Sequence, residues 1–206
     1  MRLILPLFFL ACEDKYNNTT DETPSTVDPF DTPVDTDDPE EPEEPEEQTP
    51  PDNPNIDQMF NSTDSTTWVY FDLESSHIVS PESPEDSTTW DLAFQRYHIA
   101  VNGGISGTGG VEALPLWEEY DNFEAIVDIP EEQEWLTDAA DADGDGKPEY
   151  AFQSWFSYDL STHVLSPADV VYLVQTVEGN VFRVRVIDYY SAQGESGYIS
   201  LEFDQL

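Results

Sequence analysis

The sequence predicts an all-β protein: an antiparallel sandwich or barrel-like single domain behind a disordered N-terminal stalk. Three observations carry that prediction. Residues 57–206 contain several short runs rich in Val, Ile, Tyr, Phe and Trp, bounded by Gly, Pro, Asp and Asn, and show no convincing helical periodicity. All five tryptophans fall in this part of the chain, so it has the apolar bulk for a core. Residues 13–56 have almost nothing to bury; they are Thr, Pro, Asp and Glu, with Pro-Glu-Glu recurring from Pro39, Pro42 and Pro45. Low hydrophobicity and dense like charge cannot offset the entropy of ordering a chain, so this stretch reads as an extended tether.

Taken in order, the chain opens with Met1-Arg2, an apolar run from Leu3 to Leu10, and Ala11-Cys12. That is an export signal too short to span a bilayer as a helix, with a cysteine at its cleavage point. Cys12 is the only cysteine, which predicts lipidation of Cys12 as the start of the mature chain and leaves no internal disulfide. Thr67 to Leu73 is β-rich. Thr89 to Gly110, TWDLAFQRYHIAVNGGISGTGG, reads as one long central strand running into a glycine-rich turn. In a regular strand Trp90, Leu92, Phe94, Arg96, His98 and Ala100 would share one face, and neither face is cleanly polar. Phe123 to Val127 is a weaker strand and Ala151 to Asp159 a stronger one, while Glu131 to Ala140 has room for a single turn or short helix. Val170 to Val177 and Val181 to Tyr190 form a hairpin across Glu178-Gly179-Asn180, and Tyr198 to Phe203 returns as the last strand.

The formal net charge is −39, and only Arg96, Lys147, Arg183 and Arg185 are basic beyond residue 56. Nucleic acid and anionic membrane surfaces are therefore poor partners, and cations are good ones. No Ser, His or Asp sits in a recognisable catalytic setting, so no enzymatic activity is expected. One motif carries metal chemistry. In Asp141-Ala-Asp143-Gly-Asp145-Gly146-Lys147-Pro-Glu149, carboxylates at alternate positions of a tight loop can converge on a hard cation, with the Lys147 carbonyl as a further oxygen. The spacing matches the first half of a calcium loop. Phe152 stands where an EF-hand has its closing glutamate, so Glu149 or Asp138 must close this one.

The run Trp90 to Gly104, WDLAFQRYHIAVNGG, followed by the cluster Gly107, Gly109 and Gly110, resembles the signature of the HmuY family of bacterial haem-binding lipoproteins. The resemblance extends more weakly to the Trp155 region and to Val170–Phe203. It implies an all-β fold, a lipid anchor at the outer membrane or cell surface, haem or a related porphyrin as ligand for iron acquisition, and an outer-membrane transport receptor as partner. It also implies two His or Met side chains clamping the iron from neighbouring loops. One such position, counted on from Trp155, falls on Leu160, which cannot ligate; His163 lies three residues later in the same loop. The other falls between Glu119 and Tyr150, where there is neither His nor Met. His163 is the first haem-ligand candidate and His98 the second. The competing reading is a calcium-stabilised structural or adhesion module with the same fold and no haem.

Overall fold

The computed structural model describes residues 56–117, 122–131 and 133–206; Cys12, the leader and the tether up to residue 55 lie outside the described residues. The described residues hold eleven strands and no α-helix: β1 (Gln58–Asn61), β2 (Val69–Asp72), β3 (His77–Val79), β4 (Leu92–Gln95), β5 (His98–Val101), β6 (Glu112–Trp117), β7 (Phe156–Asp159), β8 (Val164–Pro167), β9 (Val170–Gln175), β10 (Val181–Tyr190) and β11 (Ser196–Gln205). Among them, no helix is long and apolar enough to cross a membrane. All pairings are antiparallel. They make a five-stranded sheet in the order β1-β11-β10-β9-β6, a four-stranded sheet in the order β3-β2-β4-β5, and the separate hairpin β7-β8. The two larger sheets stack as a sandwich and do not close into a barrel.

Side-chain alternation explains why they stack. On β9, Val170, Tyr172 and Val174 join the main core, together with Leu92, Phe94, Ile99 and Val101 of the four-stranded sheet. Phe60 from β1 stacks on Phe94 with centroids 4.1 Å apart and meets Phe71 of β2 edge-on at 4.8 Å. Val171 and Leu173 point to the opposite face of β9, where Leu114, Leu116, Phe123 and Ile126 cover them. The remaining face of β4 and β5 presents Ala93 and Ala100 to Trp90, Trp68 and Tyr70. The sandwich is thus covered on both outer sides near its centre, in keeping with the mixed faces of Trp90 to Val101.

The long central strand expected over Thr89 to Val101 is instead a tight hairpin. Gln95 pairs with His98, and Arg96 at the turn has φ 51. No glycine or Asn-Gly marks this turn, because distant contacts hold it. The Arg96 N–H donates to the Ser62 carbonyl at 2.7 Å, the Ser62 hydroxyl donates to the Arg96 carbonyl at 2.9 Å, and the guanidinium donates to the Thr63 carbonyl and to Ser196. Trp90 lies before β4, with a bend at Asp91 between them, and packs outside the main core rather than on a face shared with Leu92 and Phe94.

Other elements differ too. Phe123–Ala125 is a 3-10 turn, not a strand, because its role is to cap the apolar outer face of β9. Of Ala151 to Asp159 only β7 is strand. Within Glu131 to Ala140 the described residues form no helix: Glu131 is a turn, Leu136 bridges Ala113 and Ala139 bridges Glu149. Strands β1, β3, β6 and β8 were not expected. Pro115 disguised β6, which is tolerated because β6 is an edge strand paired only with β9. The glycine-rich segment wraps the buried Asn102, whose amide donates to the Ser87 and Trp90 carbonyls and accepts from the Gly109 N–H. A Cβ at Gly107 or Gly109 would fall 2.0 or 2.6 Å from that amide, so the segment needs glycine for close approach.

Candidate ligand-binding site

The β4–β5 turn and the β7–β8 hairpin face one another across a cavity of about 380 Å³ lined by Tyr97, Phe156, Tyr158 and Leu165. That volume lies within the range of small-molecule sites, roughly 300–1,000 Å³. Period-two alternation puts Phe156 and Tyr158 on the same face of β7, and Leu165 is the cross-strand partner of Tyr158. Trp155 sets the geometry. It is buried against Phe156 and Tyr189, with centroids 4.9 and 5.9 Å away, and its indole N–H donates to the Tyr97 carbonyl at 2.9 Å. One tryptophan therefore ties the foot of the hairpin to the turn opposite. The Tyr97 ring meets Phe156 edge-on at 5.7 Å. The rim is apolar yet wet: Tyr158 is 46% exposed and Tyr97 41%. Exposed aromatic and aliphatic groups gathered round a concavity mark a binding surface.

A second cavity of about 140 Å³ shares Tyr97 and Phe156 with the first and adds His98, Pro148, Tyr150 and Phe152. His98 lies between the rings of Tyr97 and Tyr150, at 4.2 and 5.1 Å. Burial pushes its imidazole pKa down, which favours the neutral form. No Lys or Arg lines either cavity. Arg183 and Arg185 instead pair with Asp204 and Glu202, with their guanidinium carbons 5.1 and 5.3 Å from the Phe123 ring centroid.

His163 sits in the β7–β8 turn at φ 59, its N–H donating to the Asp159 carbonyl at 2.8 Å. It does not line the larger cavity; its Nδ1 lies 2.6 Å from the Tyr158 hydroxyl, which does. Neither cavity is lined by both His98 and His163. His77 is an exposed residue of β3 rather than of a loop. The sequence reading missed Tyr97 and Tyr158. The Phe156/Tyr158 alternation was their only local signal.

The acidic loop folds on itself. Asp141 accepts from the Gly146 N–H at 3.0 Å, Asp143 from the Asp145 N–H and Asp145 from the Lys147 N–H, both at 2.9 Å. Glu149 closes the loop by accepting from the Ala142 N–H at 2.7 Å. One carboxylate oxygen from each of Asp141, Asp143, Asp145 and Glu149 lies within 4.8 Å of the others. Lys147 pairs with Asp145 at 3.1 Å, and its hydrogen bond holds the Asp145 carboxyl below the usual range. Asp138 is not the closing residue, because its two oxygens accept from the buried Val101 and Ala151 N–H groups.

The sequence model of the HmuY protein family matches residues 64–203. No curated protein matches the chain. Solved structures share its fold. A candidate lipoprotein from Bacteroides fragilis is 23% identical, with a TM-score of 0.52 over 70% of this chain and 87% of the other. The apo HmuY analogue of Tannerella forsythia is 14% identical, with a TM-score of 0.55 over 72% and 93%. A candidate HmuY-like haem-binding protein of Bacteroides vulgatus is 20% identical, with a TM-score of 0.52 over 70% and 88%.

Proposed function

The chain belongs to the HmuY family, whose members bind and carry a ligand rather than catalyse a reaction, and from that membership we propose that it binds haem or a related porphyrin for iron acquisition. The observation that carries the reading is the aromatic cleft between the Tyr97 turn and the Phe156–Tyr158 hairpin. Flat rings on two walls suit a planar, largely apolar macrocycle. The loop in which the family resemblance implied an iron ligand is the β7–β8 turn on that cleft, and His163 belongs to it. His98 offers a neutral imidazole from the adjoining cavity. With no Lys or Arg in the lining, burial of the ring rather than pairing of the propionates would supply the affinity.

Titration of the protein with haemin tests this. A shifted Soret band is the expected result. Absence of any shift at pH 7.5 refutes the haem reading and leaves the structural or adhesion module. The convergence of four carboxylates in the 141–149 loop favours a calcium ion there in either case, with the Lys147 carbonyl completing the ligands. In the proposed organisation residues 1–12 are a lipoprotein signal ending at lipidated Cys12, residues 13–56 a disordered tether, and residues 57–206 the binding domain. The protein would then stand off the outer membrane or cell surface on its lipid, within reach of an outer-membrane transport receptor.

A further inference from the structure

Which atom of the cleft meets the iron is a separate question, and its answer rests on the haem reading above. The donors on offer differ in position. Tyr158 contributes to the lining of the larger cavity and His163 does not. The two side chains are nevertheless joined, Tyr158 Oη to His163 Nδ1 at 2.6 Å, with ring centroids 6.1 Å apart. The left-handed backbone of His163 and its N–H bond to the Asp159 carbonyl hold the imidazole against the phenol. Tyr97 is the other phenol in the lining, and no hydrogen-bond partner of its hydroxyl is found among the described residues.

We propose that Tyr158 Oη is the iron ligand and that His163 is the base that receives its proton. The step balances without any change of oxidation state. The Oη–H bond breaks and its proton passes to Nδ1, giving an imidazolium. The oxygen lone pair left behind would then hold ferric iron, any water on the metal leaving as it binds. A phenolate is an established kind of axial ligand to haem iron, and an adjacent acceptor makes it available without a free hydroxide. His163 is thus a positioning residue. To ligate through Nε2 it would have to enter a cavity whose lining does not include it.

The test uses the whole chain with two probes, haemin and metal-free protoporphyrin, read by absorbance and by resonance Raman bands of iron-bound phenolate. Wild type should show high-spin ferric haem with phenolate bands. Tyr158→Phe should lose those bands and bind haemin at least about tenfold more weakly, equivalent to about 1.4 kcal/mol, while binding metal-free protoporphyrin as before. That second probe, with circular dichroism, shows that the cleft has survived. His163→Ala should retain haemin with weakened phenolate bands, and Tyr97→Phe should behave as wild type. If neither probe binds wild type, the haem reading falls and this assignment with it. If haemin binds wild type and Tyr158→Phe with the same spectrum, the haem reading stands and the Tyr158 assignment is wrong. A low-spin imidazole spectrum lost only in His163→Ala or His98→Ala also overturns it.

Discussion

Asp138→Ala should both destabilise the domain and flatten its dependence on pH. Asp138 is 1% exposed and joins three segments: one oxygen accepts from the Val101 N–H at 3.0 Å, the other from the Ala151 N–H at 2.9 Å, and its carbonyl accepts from the Ile105 N–H. Truncation leaves two N–H groups without acceptors, at about 1–3 kcal/mol each. The sum, about 2–6 kcal/mol, is a large part of the roughly 5–15 kcal/mol that a domain commands. Burial pushes the Asp138 carboxyl from the ordinary 3.8 up to about 6, against the pull of the Ser106 hydroxyl and the two amides. Between those values the folded state holds the proton more tightly than the unfolded chain. The resulting stabilisation is fully present below pH 3.8 and lost as pH rises through about 6. From pH 5 to pH 8 the loss is on the order of 1 kcal/mol. Burial likewise pushes Asp91 up to about 7, so a slope of the same sign persists after Asp138 is removed. Urea denaturation followed by tryptophan fluorescence at both pH values, at matched ionic strength, gives the slopes. General repulsion in so acidic a chain also destabilises with rising pH, so the difference between wild type and variant is the decisive quantity. Identical slopes in the two proteins would refute the argument.

Trp90→Ala should cost about 3–5 kcal/mol, since Trp90 is buried, meets Tyr70 edge-on at 5.0 Å and donates to the Pro84 carbonyl. Trp117→Ala, at a 46% exposed edge position, should cost far less, and equal losses in urea melts would show that Trp90 is not a core residue. Calcium at a hundredfold excess over its dissociation constant should stabilise the folded state by roughly 2.7 kcal/mol, raising the melting temperature of wild type but not of the double variant Asp143→Ala, Asp145→Ala. Magnesium at equal ionic strength is the control, and equal stabilisation by both ions in both proteins removes the site. Cys12→Ser should move the protein from the membrane fraction to the soluble one, and continued membrane association would refute lipidation.

The strands legible in the sequence were those whose character is local. Val170 to Gln175 and Val181 to Tyr190 are dominated by β-branched and aromatic residues, and the Glu178-Gly179-Asn180 turn separates them with Gly179 at φ 85. The hairpin at Arg96 was illegible because the residues that hold its turn, Ser62, Thr63 and Ser196, are remote in the chain. A run such as Trp90 to Val101 carries enough β propensity for one strand or two, and only tertiary hydrogen bonds choose between them. Glu112–Trp117 was illegible for the opposite reason: its proline argues against a strand unless the strand is known to be an edge.

The same distinction governs the candidate sites. The acidic loop could be read directly because its carboxylates lie within nine consecutive positions, and the structure brings together Asp141, Asp143, Asp145 and Glu149, all named from the sequence. The cleft could not be read that way. Tyr97 and Tyr158 share its lining because Trp155, 58 residues from Tyr97, donates its indole N–H to the Tyr97 carbonyl. A search for His or Met found His163 but not the phenol beside it, because the pairing arises only when β7 and β8 fold back on each other. The chemistry follows from that placement. On the proposed haem reading, an apolar aromatic slot without a cation would select a ligand by its flat ring rather than by its carboxylates. Among the described residues, Tyr158 is the phenol in the lining of the larger cavity with an imidazole 2.6 Å away, the arrangement in which the proposal has a proton pass to a neighbour and an oxygen offered to a metal.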